Sequence, residues 1–105
     1  MKDMSEKQSC PACAKKTARD EELKKKLLNR LRRIEGQVRG IEAMIEADAY
    51  CNDVLTQSAA VNAAINAFNR ELLSCHIRGC VRRDLLAGDE SVVDELVDTM
   101  RKLMK

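Results

Sequence analysis

Aromatic residues are almost missing from this chain of 105 residues: Tyr50 and Phe68 stand alone, and there is no tryptophan. Leu, Ile, Val, Ala and Met carry the apolar content against 34% charged residues, the mixture of a helical or coiled-coil-like protein. The one proline, Pro11, precedes every periodic segment, so nothing breaks the helical pattern beyond it. No long uncharged apolar run and no signal-peptide pattern occurs, which leaves neither a membrane span nor secretion to expect and makes the cytoplasm the default compartment. A Gly-rich phosphate loop, a nucleophile elbow and a carboxylate pair for acid/base chemistry are also missing. The chain is therefore not expected to be an enzyme or to take a small-molecule substrate.

What is present is short, charged and rich in cysteine. A chain of this length forms one domain with a shallow core, and burial across a subunit interface is the natural remedy. Residues 1–40 hold 12 Lys/Arg against 6 Asp/Glu, whereas residues 41–105 hold 7 against 11. The basic half could meet a polyanion, or Lys24, Lys25 and Lys26 could simply be a solvated helix face. Five cysteines in a reducing compartment are better explained by metal or thiol chemistry than by structural disulfides.

Residues 1–18 are polar and aperiodic, and read as a flexible N-terminal arm carrying Cys10-Pro11-Ala12-Cys13, a pair able to bind a soft metal or cycle through a disulfide. Residues 19–105 read as a three-helix domain. Asp20 is a plausible cap, and Leu23, Leu27, Leu31, Ile34, Val38, Ile41 and Ile45 then recur in steps of four and three, a heptad seam ending near Ala49. Gly36 and Gly40 inside it suggest a close helix crossing. A second helix begins around Tyr50 to Asp53 and reaches about Leu86 through Val54, Ser58, Val61, Ile65, Phe68, Leu72 and Cys75. Gly88 ends it, Asp89 or Ser91 caps a third helix, and the stripe through Met100 and Met104 is read as packing.

Cys75-His76-Ile77-Arg78-Gly79-Cys80 is the segment around which the rest is organised. His76 and Cys80 stand four apart and project from one helix face. Cys51 lies 25 positions before His76, which at ~100° per residue returns to within roughly 20° of the same face but lies roughly 37 Å away along the axis. Cys51 therefore meets His76 and Cys80 only if two chains pair antiparallel. Two thiolates and one imidazole form a soft three-coordinate set suited to Cu(I), since Zn(II) seeks a fourth ligand and Ni(II) or Co(II) prefer nitrogen and oxygen. Cys75 is either a packing residue on the seam or a fourth ligand.

Arg32-Arg33-Ile34-Glu35-Gly36-Gln37-Val38-Arg39-Gly40-Ile41, Tyr50-Cys51 with Asp53-Val54-Leu55-Thr56-Gln57, and His76 with Cys80-Val81 together resemble the copper-sensitive operon repressor family of bacterial metal and sulfur sensors. The resemblance spans roughly Glu22 to Met104. It implies an all-α three-helix protomer, an antiparallel helical-bundle homodimer and a homotetramer built as a dimer of dimers. It also implies a repressor that holds operator DNA when unliganded and lets go when its inducer binds. Cys51, His76 and Cys80 correspond to the metal-ligand set of the copper sensors, Tyr50 to the tyrosine preceding their first cysteine, and Glu95 to the carboxylate that hydrogen-bonds their ligating histidine. For DNA, the resemblance points to Arg30 and its neighbours. Lys26, Arg30 and Arg33 form one basic stripe, and Arg70 is the nearest substitute for a basic residue that many relatives carry midway along the second helix.

The expectation is a cytoplasmic Cu(I)-responsive repressor. An alternative keeps the fold but reports persulfide or oxidant through Cys51 and Cys80, and a third reading is a helical copper buffer without a DNA role.

Overall fold

The computed structural model describes residues 17–105, and Cys10 and Cys13 lie outside the described residues. Helix α1 spans Glu21–Glu46. Asp20 caps it, its side chain accepting the Leu23 amide at 2.7 Å, and Glu21 and Glu22 place negative charge in the first turn where the helix dipole favours it. The helix stops at Glu46 rather than near Ala49. Asp48, at φ 56°, turns the chain into the left-handed region. The Ala49 amide then reaches the Met44 carbonyl at 2.9 Å and the Asp48 amide the Ile45 carbonyl at 3.1 Å, the paired bonds of a Schellman stop.

Helix α2 spans Cys51–His76 and runs without interruption of helical dihedrals into a π turn, Ile77–Val81, and a short helix α3, Arg82–Leu86. One rod thus covers the stretch expected as a single second helix, but its ladder changes register inside it: the Arg82 amide reaches back five residues to the Ile77 carbonyl. Gly88, at φ 91°, ends the rod, and the Gly88 and Asp89 amides bond the Leu85 and Asp84 carbonyls at 3.0 and 2.9 Å, a second Schellman stop. Helix α4, Ser91–Leu103, follows. The Asp89 side chain accepts from the Ser91 amide at 3.1 Å and from the Ser91 hydroxyl at 2.6 Å, so Asp89 is the residue that secures this helix start.

Helices α1 and α2 form an antiparallel hairpin with α4 folded back against the π turn. The buried apolar residues are Leu27 and Ile34 of α1, Val61 of α2, Cys80 and Val81 of the π turn and Val92 of α4. The α1 seam expected from the sequence divides: Leu27 and Ile34 face this core, while Leu31, Val38 and Ile45, at seven-residue intervals, stay between 38 and 59% exposed. On α2, Leu55 and Ile65 are likewise exposed and flank a shallow groove with Ala59. Gly36 and Gly40 do not mark a close crossing within the protomer, since a Cβ on either would meet nothing within 4 Å. Among the described residues, no helix is long and apolar enough to cross a membrane.

Candidate metal centre

His76 occupies the last position of α2, and Cys80 lies inside the π turn that follows. A π turn adds a residue to the helical loop, so residues four apart stand more nearly in register than in an α-helix. Such turns occur mostly as single insertions, frequently at functional sites. Cys80 is 8% exposed and His76 and Cys75 are half-buried. All three line one cavity of about 500 Å³, closed by Thr17 to Arg19 ahead of α1 and by Thr99 and Leu103 of α4. The Thr17 hydroxyl lies 3.4 Å from the Cys80 sulfur.

Arg83 and Arg19 are the arginines that line this cavity. The Arg83 Nε donates to Asp84 Oδ1 at 3.1 Å. That hydrogen bond and the Asp84 charge hold the guanidinium above its ordinary range, with a smaller contribution from Cys80.

Cys51 is not at this cavity. It is the first residue of α2, exposed, at the far end of the helix from His76, a separation of roughly 37 Å at 1.5 Å per residue. Tyr50 beside it is 73% exposed. Among the described residues, no group of three or more metal-ligating side chains comes together within the chain. His76 and Cys80 offer one nitrogen and one sulfur donor, a soft pair that fits Cu(I) but leaves it short of the third ligand that the donor chemistry favours. The protomer therefore brings two candidate ligands to one cavity and displays a third, Cys51, on its surface.

Glu95 lies on the exposed side of α4. The α4 residues that line the cavity are instead Thr99 and Leu103, and the Thr99 hydroxyl donates to the Glu95 carbonyl at 3.1 Å, one turn back. Thr17, Arg83 and Thr99 do not stand out in the sequence. Polar residues of this kind carry no periodic signal, and only the fold brings Thr17 across 63 positions to Cys80.

The basic stripe lies on α1, where Lys26, Arg30 and Arg33 are exposed. Arg30 Nη2 stands 4.0 Å from Glu71 Oε1 of α2. Arg70, next to Glu71, is exposed as well.

A family model described as metal-sensitive transcriptional repressor matches residues 23–102. The copper-sensing transcriptional repressor CsoR of Bacillus subtilis (strain 168) is 46% identical over 83 residues, which cover 78% of this chain and 82% of the relative. The copper-sensing transcriptional repressor RicR of Mycobacterium tuberculosis (strain ATCC 25618 / H37Rv) is 48% identical over 69 residues, 66% of this chain and 72% of the relative. Among solved structures, the Cu(I)-bound copper-sensing repressor CsoR of Geobacillus thermodenitrificans NG80-2 superposes with a TM-score of 0.82 at 36% identity, covering 86% of this chain and 95% of the other. The nickel-responsive transcriptional regulator InrS superposes with a TM-score of 0.66 at 32% identity, covering 84% of this chain and 97% of the other.

Proposed function

The chain belongs to the metal-sensitive transcriptional repressor family, and from that premise we propose that it is a Cu(I)-responsive repressor that binds operator DNA in its apo form and releases it when Cu(I) is bound between subunits. The observation that carries this reading is the divided ligand set: His76 and Cys80 share one cavity, while Cys51 is exposed at the opposite end of the same helix. An antiparallel pairing of two such rods brings Cys51 of one protomer to His76 and Cys80 of its partner. The exposed row Leu31, Val38 and Ile45 and the groove by Leu55 and Ile65 are the apolar surface that such a dimer covers. Two dimers then associate as a homotetramer.

Cys51 of one chain with His76 and Cys80 of the other would hold Cu(I), which would supply a soft, thiophilic centre there. The residues do the rest. His76 presents a ring nitrogen from the end of α2, and Cys80 presents its sulfur from a turn whose backbone has already left α-helical register. A π turn can exchange with α-helical register through a small slide, which makes it the natural two-state element at this position. When the site closes, Glu95 turns from the exposed side of α4 toward His76 and orients it by hydrogen bonding, and Tyr50 packs beside Cys51, so that closure repositions α4 and the far end of α2. Lys26, Arg30, Arg33 and Arg70 meet the DNA phosphates. Release requires Cu(I) to favour the DNA-incompetent arrangement by a coupling of about 1–3 kcal/mol, a factor of roughly 5 to 150 in affinity.

The test is anaerobic titration of reduced protein with Cu(I) against a competing chelator, in parallel with fluorescence anisotropy on DNA from the protein's own upstream region. The proposal predicts one tight Cu(I) per protomer that releases the DNA, with both effects lost in His76→Ala. Release by polysulfide but not by Cu(I) would make the chain a sulfur sensor working through Cys51 and Cys80. DNA binding that never occurs would leave a copper-binding helical bundle.

A further inference from the structure

The rod that carries His76 and Cys80 also carries cations that the candidate metal site does not use. Arg78 lies in the π turn and Arg82 directly after it, one on either side of Cys80, and both are exposed. Among the described residues neither has an ion-pair partner, while the two carboxylates of this end of the rod are taken: Asp84 pairs with Arg83 at 3.1 Å and Glu71 with Arg30 at 4.0 Å. Arg78 and Arg82 are left as unneutralised charge.

Glu71 fixes where these arginines lie. Arg78 follows it by seven positions, two helical turns, which puts it within about 20° of the same face and roughly 10 Å further along the axis. Arg82 follows Arg78 by four, inside a turn wide enough to keep such positions near register. Because Arg30 of α1 reaches Glu71, Arg78 and Arg82 continue the basic stripe of Lys26, Arg30 and Arg33 onto the rod. The surface is open there, since a Cβ on Gly79, between Arg78 and Cys80, would meet nothing within 4 Å. About 10 Å of duplex axis presents roughly six phosphates, so Arg30 and Arg78 can each meet one of their own.

We propose that Arg78 and Arg82 bind DNA phosphates in the apo protein and are the contacts that Cu(I) withdraws. This rests on the reading of the chain as a Cu(I)-responsive repressor. The two arginines share their backbone with the ligands: Arg78 stands between His76 and Cys80, and the Arg82 amide makes the five-residue bond to the Ile77 carbonyl. Coordination by His76 and Cys80 sets the register of that turn. A change of one residue in register turns a side chain by ~100° about the axis, enough to take Arg82 off the face that Arg30 borders. Arg30, on α1, keeps its place. Release then follows from the movement of two cations and needs no rebuilding of the whole interface.

The test measures binding to DNA from the protein's own upstream region by anisotropy at three salt concentrations, with and without one equivalent of Cu(I) per chain. The full-length reduced protein is compared with Arg78→Gln/Arg82→Gln and with Arg78→Lys/Arg82→Lys, and chelator competition measures Cu(I) binding in all three. The proposal predicts equal Cu(I) affinity, apo DNA affinity at least about tenfold lower in the Gln variant near physiological salt, and a slope of log affinity on log salt flattened by about 0.9 for each phosphate lost. The Lys variant should keep the slope. With Cu(I) bound, wild type and Gln variant should bind DNA equally weakly, so that the release ratio shrinks in the variant. An unchanged apo slope overturns the proposal and leaves the sensor intact. A Gln variant weakened by the same factor with and without Cu(I) also overturns it, because the contacts would then persist in both states, and so does one that no longer binds Cu(I), because the arginines would then serve the metal site. A wild type that binds DNA and ignores Cu(I) overturns the sensor itself, and the withdrawal with it.

Discussion

The Arg30 guanidinium stands 4.0 Å from the Glu71 carboxylate, an ion pair that joins α1 to α2 on the basic face of the protomer. Both side chains are substantially exposed, at 44 and 37%, so the pair contributes at most about 1 kcal/mol to folding. Its larger consequence is electrostatic: if Arg30 meets phosphate as proposed, the neighbouring carboxylate competes with DNA for the same cation.

Glu71→Gln should therefore tighten apo DNA binding several-fold with little change in stability. Arg30→Ala should weaken binding and flatten the dependence of log affinity on log salt by about 0.9 for each phosphate that is no longer neutralised. Anisotropy at three salt concentrations measures both. A salt slope unchanged in Arg30→Ala would remove Arg30 from the DNA interface.

In the proposed mechanism Glu95 transmits binding, and it sits one turn before the cavity residue Thr99. In Glu95→Ala, Cu(I) should still bind while DNA release is reduced, since the ligands remain and only their link to α4 is removed. Chelator competition and anisotropy on the same sample separate the two. A full copper response in this variant would take Glu95 out of the mechanism.

Val38 is 42% exposed in the row with Leu31 and Ile45 that the protomer leaves uncovered. Val38→Glu places a charge where a second chain is expected to pack, and burying it unpaired would be strongly unfavourable. Sedimentation should then show loss of the oligomer, thermal stability should fall, and tight Cu(I) binding should disappear because the second protomer's Cys51 is gone. An oligomer of unchanged mass would place the interface elsewhere.

Asp48 holds a left-handed conformation, φ 56°, in an exposed turn. Side chains at such a position cost about 1–2 kcal/mol that glycine avoids, with aspartate at the tolerant end. Asp48→Gly should raise the free energy of unfolding by up to about 1 kcal/mol, read by urea denaturation, with Cu(I) binding unaltered. A loss of stability would show that the Asp48 side chain makes a contribution greater than its backbone strain.

The two helix stops explain much of what is legible in the sequence and what is not. Gly88 and Asp48 build the same Schellman bond pair, but glycine announces a left-handed stop and aspartate does not, so the sequence pattern carries the first helix on to Ala49, past its end at Glu46. Heptad spacing reveals the α1 seam, yet a step pattern does not say which half faces the chain's own core, and Leu31 and Val38 are exposed where Leu27 and Ile34 are buried. The four-residue spacing of His76 and Cys80 predicts a shared face, and the two line one cavity. The π turn between them is not legible, because its residues read as ordinary helix. Thr17 gives no signal either, since its role depends on a contact 63 positions away.

A single metal site built from two chains can be tested by subunit mixing. One chain carries Cys51→Ser and the other His76→Ala with Cys80→Ser, the two are co-expressed with different tags, and the heterodimer is purified and titrated anaerobically with Cu(I) against a chelator. Neither parent homodimer should bind Cu(I) tightly. The heterodimer should regain one tight site, because Cys51 of the second chain meets the intact His76 and Cys80 of the first. A heterodimer that binds no better than either parent would contradict the shared site.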